Sequence, residues 1–105
     1  MPKLQTDKSR QAFEEIFKFA NQQAMTDALK RAGKDRQLLR KAKRDPKAFL
    51  RGEGLRLPPR VDVTISERRI GIGVGRLCVT VCQRVGPFVI CVTRCIPIII
   101  IVVSG

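Results

Sequence analysis

RLCVTVCQRVGPFVICVTRCIP, residues 76–97, holds all four cysteines of this 105-residue chain. Folding the stretch about Gly86-Pro87 brings the cysteines into two opposed pairs: Cys82 with Cys91, and Cys78 with Cys95. Residues two apart lie on the same face of a strand, so both cysteines of each strand share a face. Opposed residues at non-hydrogen-bonded positions lie about 4.5 Å apart at Cα, within reach of a disulfide. The stretch therefore predicts a cross-linked β-hairpin, with strands near 75–84 and 88–103.

The same stretch can also be read as a repeat, with CVTVC at 78–82 followed by CVTRC at 91–95. Each unit sets thiols beside a hydroxyl, and thioether or azole formation on a peptide consumes that pairing of groups. A third interpretation is four reduced, buried cysteines that act as small apolar side chains. The residues we expect to be cross-linked or modified are Cys78, Cys82, Cys91, Cys95, Thr80 and Thr93.

Composition divides the chain near residue 67. Residues 1–67 carry 16 Lys and Arg and all 9 Asp and Glu, whereas residues 68–105 carry five arginines, no lysine and no acid. The chain has no histidine, tryptophan or tyrosine, so the commonest general base is missing. No acid–base or nucleophile constellation assembles from the remaining residues, and we expect neither an enzyme nor a cofactor.

The two ends of the chain bear on where it works. Residues 1–10 lack the charged and then apolar pattern of a signal peptide, so we expect no Sec-type export of the whole chain. The apolar run 96–103 contains Pro97 and is far shorter than the roughly 18 residues of a membrane-spanning helix. These features predict a cytoplasmic chain, while disulfides need an oxidising compartment, which suggests enzymatic cysteine chemistry or export of a released fragment.

Apolar spacing predicts helices in the first half of the chain. Apolar residues recur every three or four positions over 6–32, one face of an amphipathic helix that includes Phe13 and Phe17, and Gly33 would end it. Asp35 is a candidate N-cap for a helix over 35–43. Asp45-Pro46 is the start signal of a short helix over 46–51.

An extended segment follows these helices. Pro58-Pro59 is incompatible with helix, and the alternating pattern of 61–65 predicts a half-buried strand. The spaced glycines Gly71, Gly73 and Gly75 then indicate either an exposed linker or glycines within a strand that admit a close backbone approach. The predicted fold is α+β: amphipathic helices, a short strand and a C-terminal cysteine-bearing hairpin, which could be flexible before modification.

Residues 45–67, DPKAFLRGEGLRLPPRVDVTISE, resemble the nitrile-hydratase-type leader peptide family, found on bacterial precursors of modified peptides such as the proteusins. The resemblance implies a docking leader over 1–67 and a core peptide over 68–105 that is altered and released. It does not extend to hydratase activity, because the paired cysteines here are separated by three residues and do not form that enzyme's Cys-x-x-Cys-Ser-Cys metal claw. The positions that match and would contact maturation enzymes are Asp45, Pro46, Ala48, Gly54, Leu57, Pro58, Val61, Val63 and Ile65.

Cleavage of such a precursor is expected where the composition changes, at Arg69, Gly71, Gly73 and Gly75. The released core sets Arg76, Arg84 and Arg94 among β-branched residues, a pattern that favours anionic membranes. We therefore expect a membrane-active, antimicrobial product that is exported after release from a cytoplasmic precursor.

Other chemistries fit the sequence less well. Zinc ribbons hold their ligands on Cys-x-x-Cys turns, and the wider spacing here predicts no metal site. The net charge of +12 invites nucleic-acid binding, but no Tyr or Trp is present for base stacking. We prefer an acidic surface on a maturation enzyme as the partner, met by charge and by the strand 61–65 adding to a sheet edge. The alternative function is a small basic α+β protein that acts intact and binds nucleic acid or an acidic partner.

Overall fold

The computed structural model describes the backbone of residues 3–99 and the side chains of residues 8–99. Within this part of the chain, four helices precede three strands, which confirms the predicted α+β class with N-terminal helices and a C-terminal hairpin. The elements are α1 (Lys3–Asn21), α2 (Gln23–Lys34), α3 (Arg36–Arg44), α4 (Pro46–Gly52), β1 (Val61–Gly71), β2 (Val74–Val85) and β3 (Phe88–Ile99).

The strands of the described residues form one antiparallel sheet in the order β1-β2-β3. Val61 to Arg69 of β1 pair residue by residue with Gln83 to Gly75 of β2, and a β-bulge follows between Arg69 and Gly71. The β2–β3 turn is Gly86-Pro87, flanked by the pair Val85 and Phe88. Gly86 has a φ of 59°, which glycine adopts without strain at the first central position of a two-residue hairpin turn.

The helices cover only one face of this sheet. α1 packs on β2 and β3 and α2 packs on β3, while α3 and α4 pack on β1. Their apolar sides and the inward side chains of the strands form one core, whose fully buried large members are Ile16, Met25, Leu29, Leu50, Leu77, Val79 and Val81. We call the covered side the inner face and the uncovered side the outer face.

The single helix predicted over 6–32 is wrong, because the structure has two helices that meet at Gln22. Gln22 is extended, with φ −71° and ψ 154°, and its carbonyl oxygen accepts from the amides of Met25 and Thr26 to begin α2. Gly33 is not a cap either, since α2 continues to Lys34 and its C-cap is Asp35.

The aromatic residues of α1 also depart from the prediction. Phe13 and Phe17 lie on the solvent side, 45% and 48% exposed, with their ring centroids 5.6 Å apart. Phe19 is buried in the core instead. The side of α1 that faces the core thus differs from the side predicted by extending a single apolar stripe through both helices.

The predicted caps of the next two helices are confirmed. The Asp35 side chain accepts hydrogen bonds from the amides of Gln37 and Leu38. The Asp45 side chain accepts from the amide of Ala48, with Pro46 as the first helical residue. Each aspartate therefore satisfies main-chain donors that a helix N-terminus leaves without partners.

The first strand is longer than the predicted 61–65, because its pairing with β2 continues to Gly71. The glycine-rich stretch is consequently the end of β1, a turn and the start of β2, so Gly71 and Gly75 lie in strands and Gly73 lies in the turn. The predicted hairpin strands near 75–84 and 88–103 correspond to β2 and β3. Residues 100–103 of that prediction lie outside the described part of the chain.

Candidate functional site

The outer face of the hairpin carries the residues that we expected to be modified. Strand alternation directs Leu77, Val79 and Val81 of β2 inward, where they are fully buried. The intervening residues, with their partners on β3, therefore lie on the face that no helix covers; they are Cys78, Thr80, Cys82, Cys91, Thr93 and Cys95.

Two disulfides cross this face. Cys78 is bonded to Cys95 and Cys82 to Cys91, with a Cα–Cα distance of 4.0 Å in each pair. This short distance is typical of non-hydrogen-bonded pairs in an antiparallel ladder. The pairs predicted from the spacing are the ones that form, and all four sulfurs are used in them.

Between the disulfides, Thr80 and Thr93 share a hydrogen bond, with their hydroxyl oxygens 3.0 Å apart. Thr64 of β1 lies opposite Thr80, so a row of three threonines crosses the sheet. Cys91, Cys95 and Thr93 are exposed, whereas Cys78 is only 6% exposed. An enzyme approaching the outer face would meet both cross-links and the threonines on one surface.

Metal binding would require a different state of this face. Both disulfides would have to be reduced before the cysteines could act as thiolate ligands. Within residues 3–99, no three His, Cys, Asp or Glu side chains form a group that could hold a metal ion. The chemistry available to the hairpin as it stands is cross-linking by sulfur.

The residues that resemble the leader motif build the connection between α4 and the sheet. Asp45 caps α4, and Pro46 and Ala48 form its first turn. Gly54 has a φ of 88°, which a glycine tolerates, and lies just beyond the end of the helix. Leu57 packs against the core, and Pro58-Pro59 leads into β1. These positions lie along the part of the chain that leads from α4 into β1.

The β1 residues of the motif contribute their side chains to the core. Val61 and Ile65 are buried, and Val63 is partly buried. What β1 offers to a partner is its main chain, because it is an edge strand of the described sheet. The short Cα distances identify the two cysteine pairs as non-hydrogen-bonded, and alternation gives the pair Thr80 and Thr93 between them the same character. The main-chain groups of Thr80 therefore point toward Thr64 on β1. By the same alternation, those of Val61, Val63 and Ile65 point to the free edge of β1.

The expected cleavage residues cluster at the β1–β2 turn. Arg69 and Gly71 end β1, Gly73 lies in the turn with a φ of 74°, and Gly75 is buried in β2 opposite Ile98. Ile72, between the glycines, is fully exposed. The structure therefore brings three of the four positions to an accessible hairpin tip and places Gly75 inside the sheet.

Arg94 is an important residue whose role the sequence pattern concealed. It lies on the inner face and donates to the carbonyl oxygens of Ala20 and Gln22, so it is not part of an exposed cationic surface. The only signal was its place in the repeat, where CVTRC has an arginine at the position of the inward Val81 in CVTVC. Arg76 and Arg84 are exposed on the outer face, as the cationic pattern requires.

Basic side chains also concentrate on α3. Its exposed residues include Arg40, Lys41, Lys43 and Arg44, and Lys43 lies 3.4 Å from the Glu67 carboxylate on β1. No helix of residues 3–99 is long and apolar enough to cross a membrane. The largest group of charged residues on the helices thus lies beside β1, the edge strand whose first residues belong to the leader-like motif.

Comparison of the chain with protein-family models, curated proteins and solved structures finds no match. The resemblance of residues 45–67 to a leader therefore has only the residues themselves as its support.

Proposed function

We propose that the chain is the precursor of a ribosomally made, cross-linked peptide. Residues 1–67 act as the leader that maturation enzymes bind, and residues 68–105 are the core that is released as a cationic, membrane-active product. One observation carries most weight: both disulfides lie within residues 78–95, so neither ties the core to the leader. A cut at the β1–β2 turn would free a hairpin that retains both of its cross-links.

The packing of the core gives a second line of support. Leu77, Val79, Val81, Val92 and Ile96 form an apolar surface on one side of the hairpin, and the helices bury it. This surface is the one that a membrane-active hairpin would use. In the proposed precursor, the leader keeps it out of contact with lipid until the core is released.

The binding of maturation enzymes is proposed to use the free edge of β1 together with the basic surface of α3. A partner strand can pair with main-chain groups at an edge, and acidic side chains on the partner would complement Arg40, Lys41 and Arg44. The two features adjoin because α3 packs on β1. In this proposal, the chain works from the cytoplasm and its core is exported.

Intact-mass spectrometry of the chain produced together with its neighbouring genes tests the proposal. The expected product is a fragment that begins between residues 68 and 76 and has lost four hydrogens through its two disulfides. Loss of water in place of hydrogen would instead indicate thioether or azole chemistry, for which Thr80 and Thr93 are the hydroxyls beside the cysteines. A chain that stays uncut under these conditions, and acts in that form, would contradict the precursor function.

A second candidate is an intact basic interaction protein, and the shared core favours it. Residues 61–67 of β1 belong to the leader but pair residue by residue with β2 of the core, so both halves contribute to one sheet. A single cooperative unfolding transition together with retention of the uncut chain on an acidic partner or nucleic acid would support this candidate. Recovery of the released core as the active species would exclude it.

A further inference from the structure

The end of the sheet that carries the β1–β2 turn exposes a group of large apolar side chains. We call them the apolar tip: Ile70 (59% exposed), Ile72 (103%), Val74 (49%) and Ile99 (76%). Val74 lies opposite Ile99 on β3 and opposite Gly71 on β1, so all three strands bring their apolar residues to this end. Four neighbouring apolar side chains left in water are unfavourable unless something covers them.

Cationic side chains surround the apolar tip on both faces of the sheet. On the outer face, Arg68 and Arg76 lie directly opposite each other in the β1–β2 pairing, and both are exposed. Like charges in this arrangement repel, and an anion between them would relieve the repulsion. We call the following five residues the cationic collar: Arg68, Arg69, Arg76, Lys30 and Lys34.

The lysines of the cationic collar come from the last turns of α2 and approach the tip from the inner side. Lys30 and Lys34 line a cleft of about 460 Å³ with Gly33, Ile98 and Ile99. Both lysines are exposed, and the carboxylate next to the tip along β1, Glu67, already pairs with Lys43. Residues 68–105 contain no acid that could neutralise the collar.

We propose that the apolar tip of the whole chain inserts into the headgroup region of an anionic lipid surface, with the cationic collar contacting the lipid phosphates. Apolar burial combined with basic residues is the chemistry of peripheral attachment to such surfaces. A second copy of the chain would bring the same five cations against the collar, so charge favours lipid as the occupant. The side chains of residues 100–105 are all uncharged.

This proposal concerns the uncut chain and does not depend on the precursor function. The face buried under the helices takes no part in it. If the core is never released, the tip is still available, and if the tip does not bind lipid, the leader and core can still be separated.

A tryptophan reporter at the tip provides the test, because the chain has no tryptophan of its own. The oxidised full-length Ile72→Trp variant is mixed with vesicles of equal parts phosphatidylglycerol and phosphatidylcholine, or of phosphatidylcholine alone. We expect a blue shift and quenching by brominated acyl chains with the anionic vesicles only. The signal should weaken when salt is raised from about 0.1 M to about 0.5 M, because screening reduces the attraction. A Phe17→Trp variant, labelled at an exposed site on α1, should show no quenching.

Matched substitutions distinguish vesicle binding through the apolar tip from binding through exposed apolar or basic residues elsewhere on the chain. In vesicle flotation of an otherwise unlabelled chain, Ile70→Ser with Ile72→Ser, or Arg68→Gln with Arg76→Gln, should lower binding about tenfold or more. Phe13→Ser with Phe17→Ser removes exposed apolar surface elsewhere, and Arg40→Gln with Lys41→Gln removes the same charge from α3; both should bind as the parent does.

Equal binding to neutral vesicles, or equal loss in the control variants, would overturn the proposal. So would a tip that binds no vesicles while Ile70→Ser with Ile72→Ser converts an oligomer to a monomer in size-exclusion chromatography, since the tip would then join copies of the chain. Circular dichroism of each variant checks that the fold is retained. We expect Ile72 substitutions to leave the fold intact, because the Ile72 side chain has no buried surface to lose.

Discussion

Arg94 on β3 donates a hydrogen bond from Nη1 to the main-chain carbonyl oxygen of Ala20, 3.2 Å away near the end of α1. The same nitrogen lies 3.4 Å from the carbonyl oxygen of Gln22, where α1 gives way to α2. The last carbonyls of a helix have no partners within it, so this guanidinium gives the Ala20 carbonyl a donor that α1 cannot supply. It also joins the C-terminal hairpin to the helical layer at the junction between α1 and α2.

Replacing Arg94 should therefore destabilise the whole chain. We expect Arg94→Met to lower the free energy of unfolding by about 1.5–3 kcal/mol, because hydrogen bonds from a charged donor are lost and the Ala20 carbonyl loses its side-chain donor, whereas the Gln22 carbonyl keeps the amides of Met25 and Thr26. Urea denaturation followed by circular dichroism measures this. Arg84→Met is the matched control, since Arg84 is an exposed arginine on the outer face. Equal stabilities of the two variants would show that the contact contributes nothing.

The close approach of α2 to β3 makes a second prediction. A Cβ at position 33 would lie 2.8 Å from Cγ2 of Ile98, whose β-branched side chain has little freedom to move away. Gly33→Ala should therefore cost about 1–3 kcal/mol through overpacking, although alanine is the better helix former.

Gly52→Ala, at the end of α4, is the control for that substitution, because a Cβ there meets nothing within 4 Å. It should be neutral or stabilise by up to about 1 kcal/mol. Thermal unfolding of the two variants side by side distinguishes the signs. A stabilising Gly33→Ala would mean that β3 and α2 are less tightly packed than described.

The two disulfides should stabilise the hairpin by similar amounts. Removing either as a Cys-to-Ala pair is expected to cost about 2–4 kcal/mol. The Cys78–Cys95 bond closes 17 residues and the Cys82–Cys91 bond closes 9, so the chain-entropy model makes the first worth about 0.5 kcal/mol more. Denaturation with and without a reducing agent is the measurement, and a midpoint that reduction leaves unchanged would contradict the prediction.

The free edge of β1 gives a prediction about binding rather than stability. Val63 directs its amide to the open edge, so Val63→Pro removes a donor that a partner strand would use while sparing the bonds to β2. Val63→Ala trims the same side chain and keeps the amide. We expect the proline variant to lose binding to a maturation enzyme at least about tenfold more than the alanine variant. Titration calorimetry of both folded variants provides the comparison, and equal affinities would argue against strand addition.

The hairpin could be predicted from the sequence because the symmetric spacing of its cysteines about the turn determines its register. Cys78, Cys82, Cys91 and Cys95 are placed evenly about Gly86-Pro87, and a turn there leaves one register that pairs them all. The capping aspartates were equally readable, since a cap depends only on the next three residues. Features set by neighbours in sequence were thus predicted well.

The break at Gln22 could not be predicted, because no proline or glycine marks it. It is stabilised in part by Arg94, 72 residues further along the chain. The burial of Phe19 and the exposure of Phe13 and Phe17 were also not predicted. The extension of β1 to Gly71 was also missed, since Arg68 and Arg69 interrupt the apolar alternation while their main chain pairs with β2. The apolar tip depends on how three strand ends coincide, which no local pattern encodes.

The central position of β2 has a consequence for the order of events if the chain is cut at the tip. Separation of β1 would leave β2 with an open edge and the hairpin with a bare apolar side at the same moment. The released β2–β3 hairpin would aggregate unless it bound a bilayer or an exporter immediately. The leader would then act as a solubilising partner as well as a recognition element, and the place of cutting would matter as much as the cut.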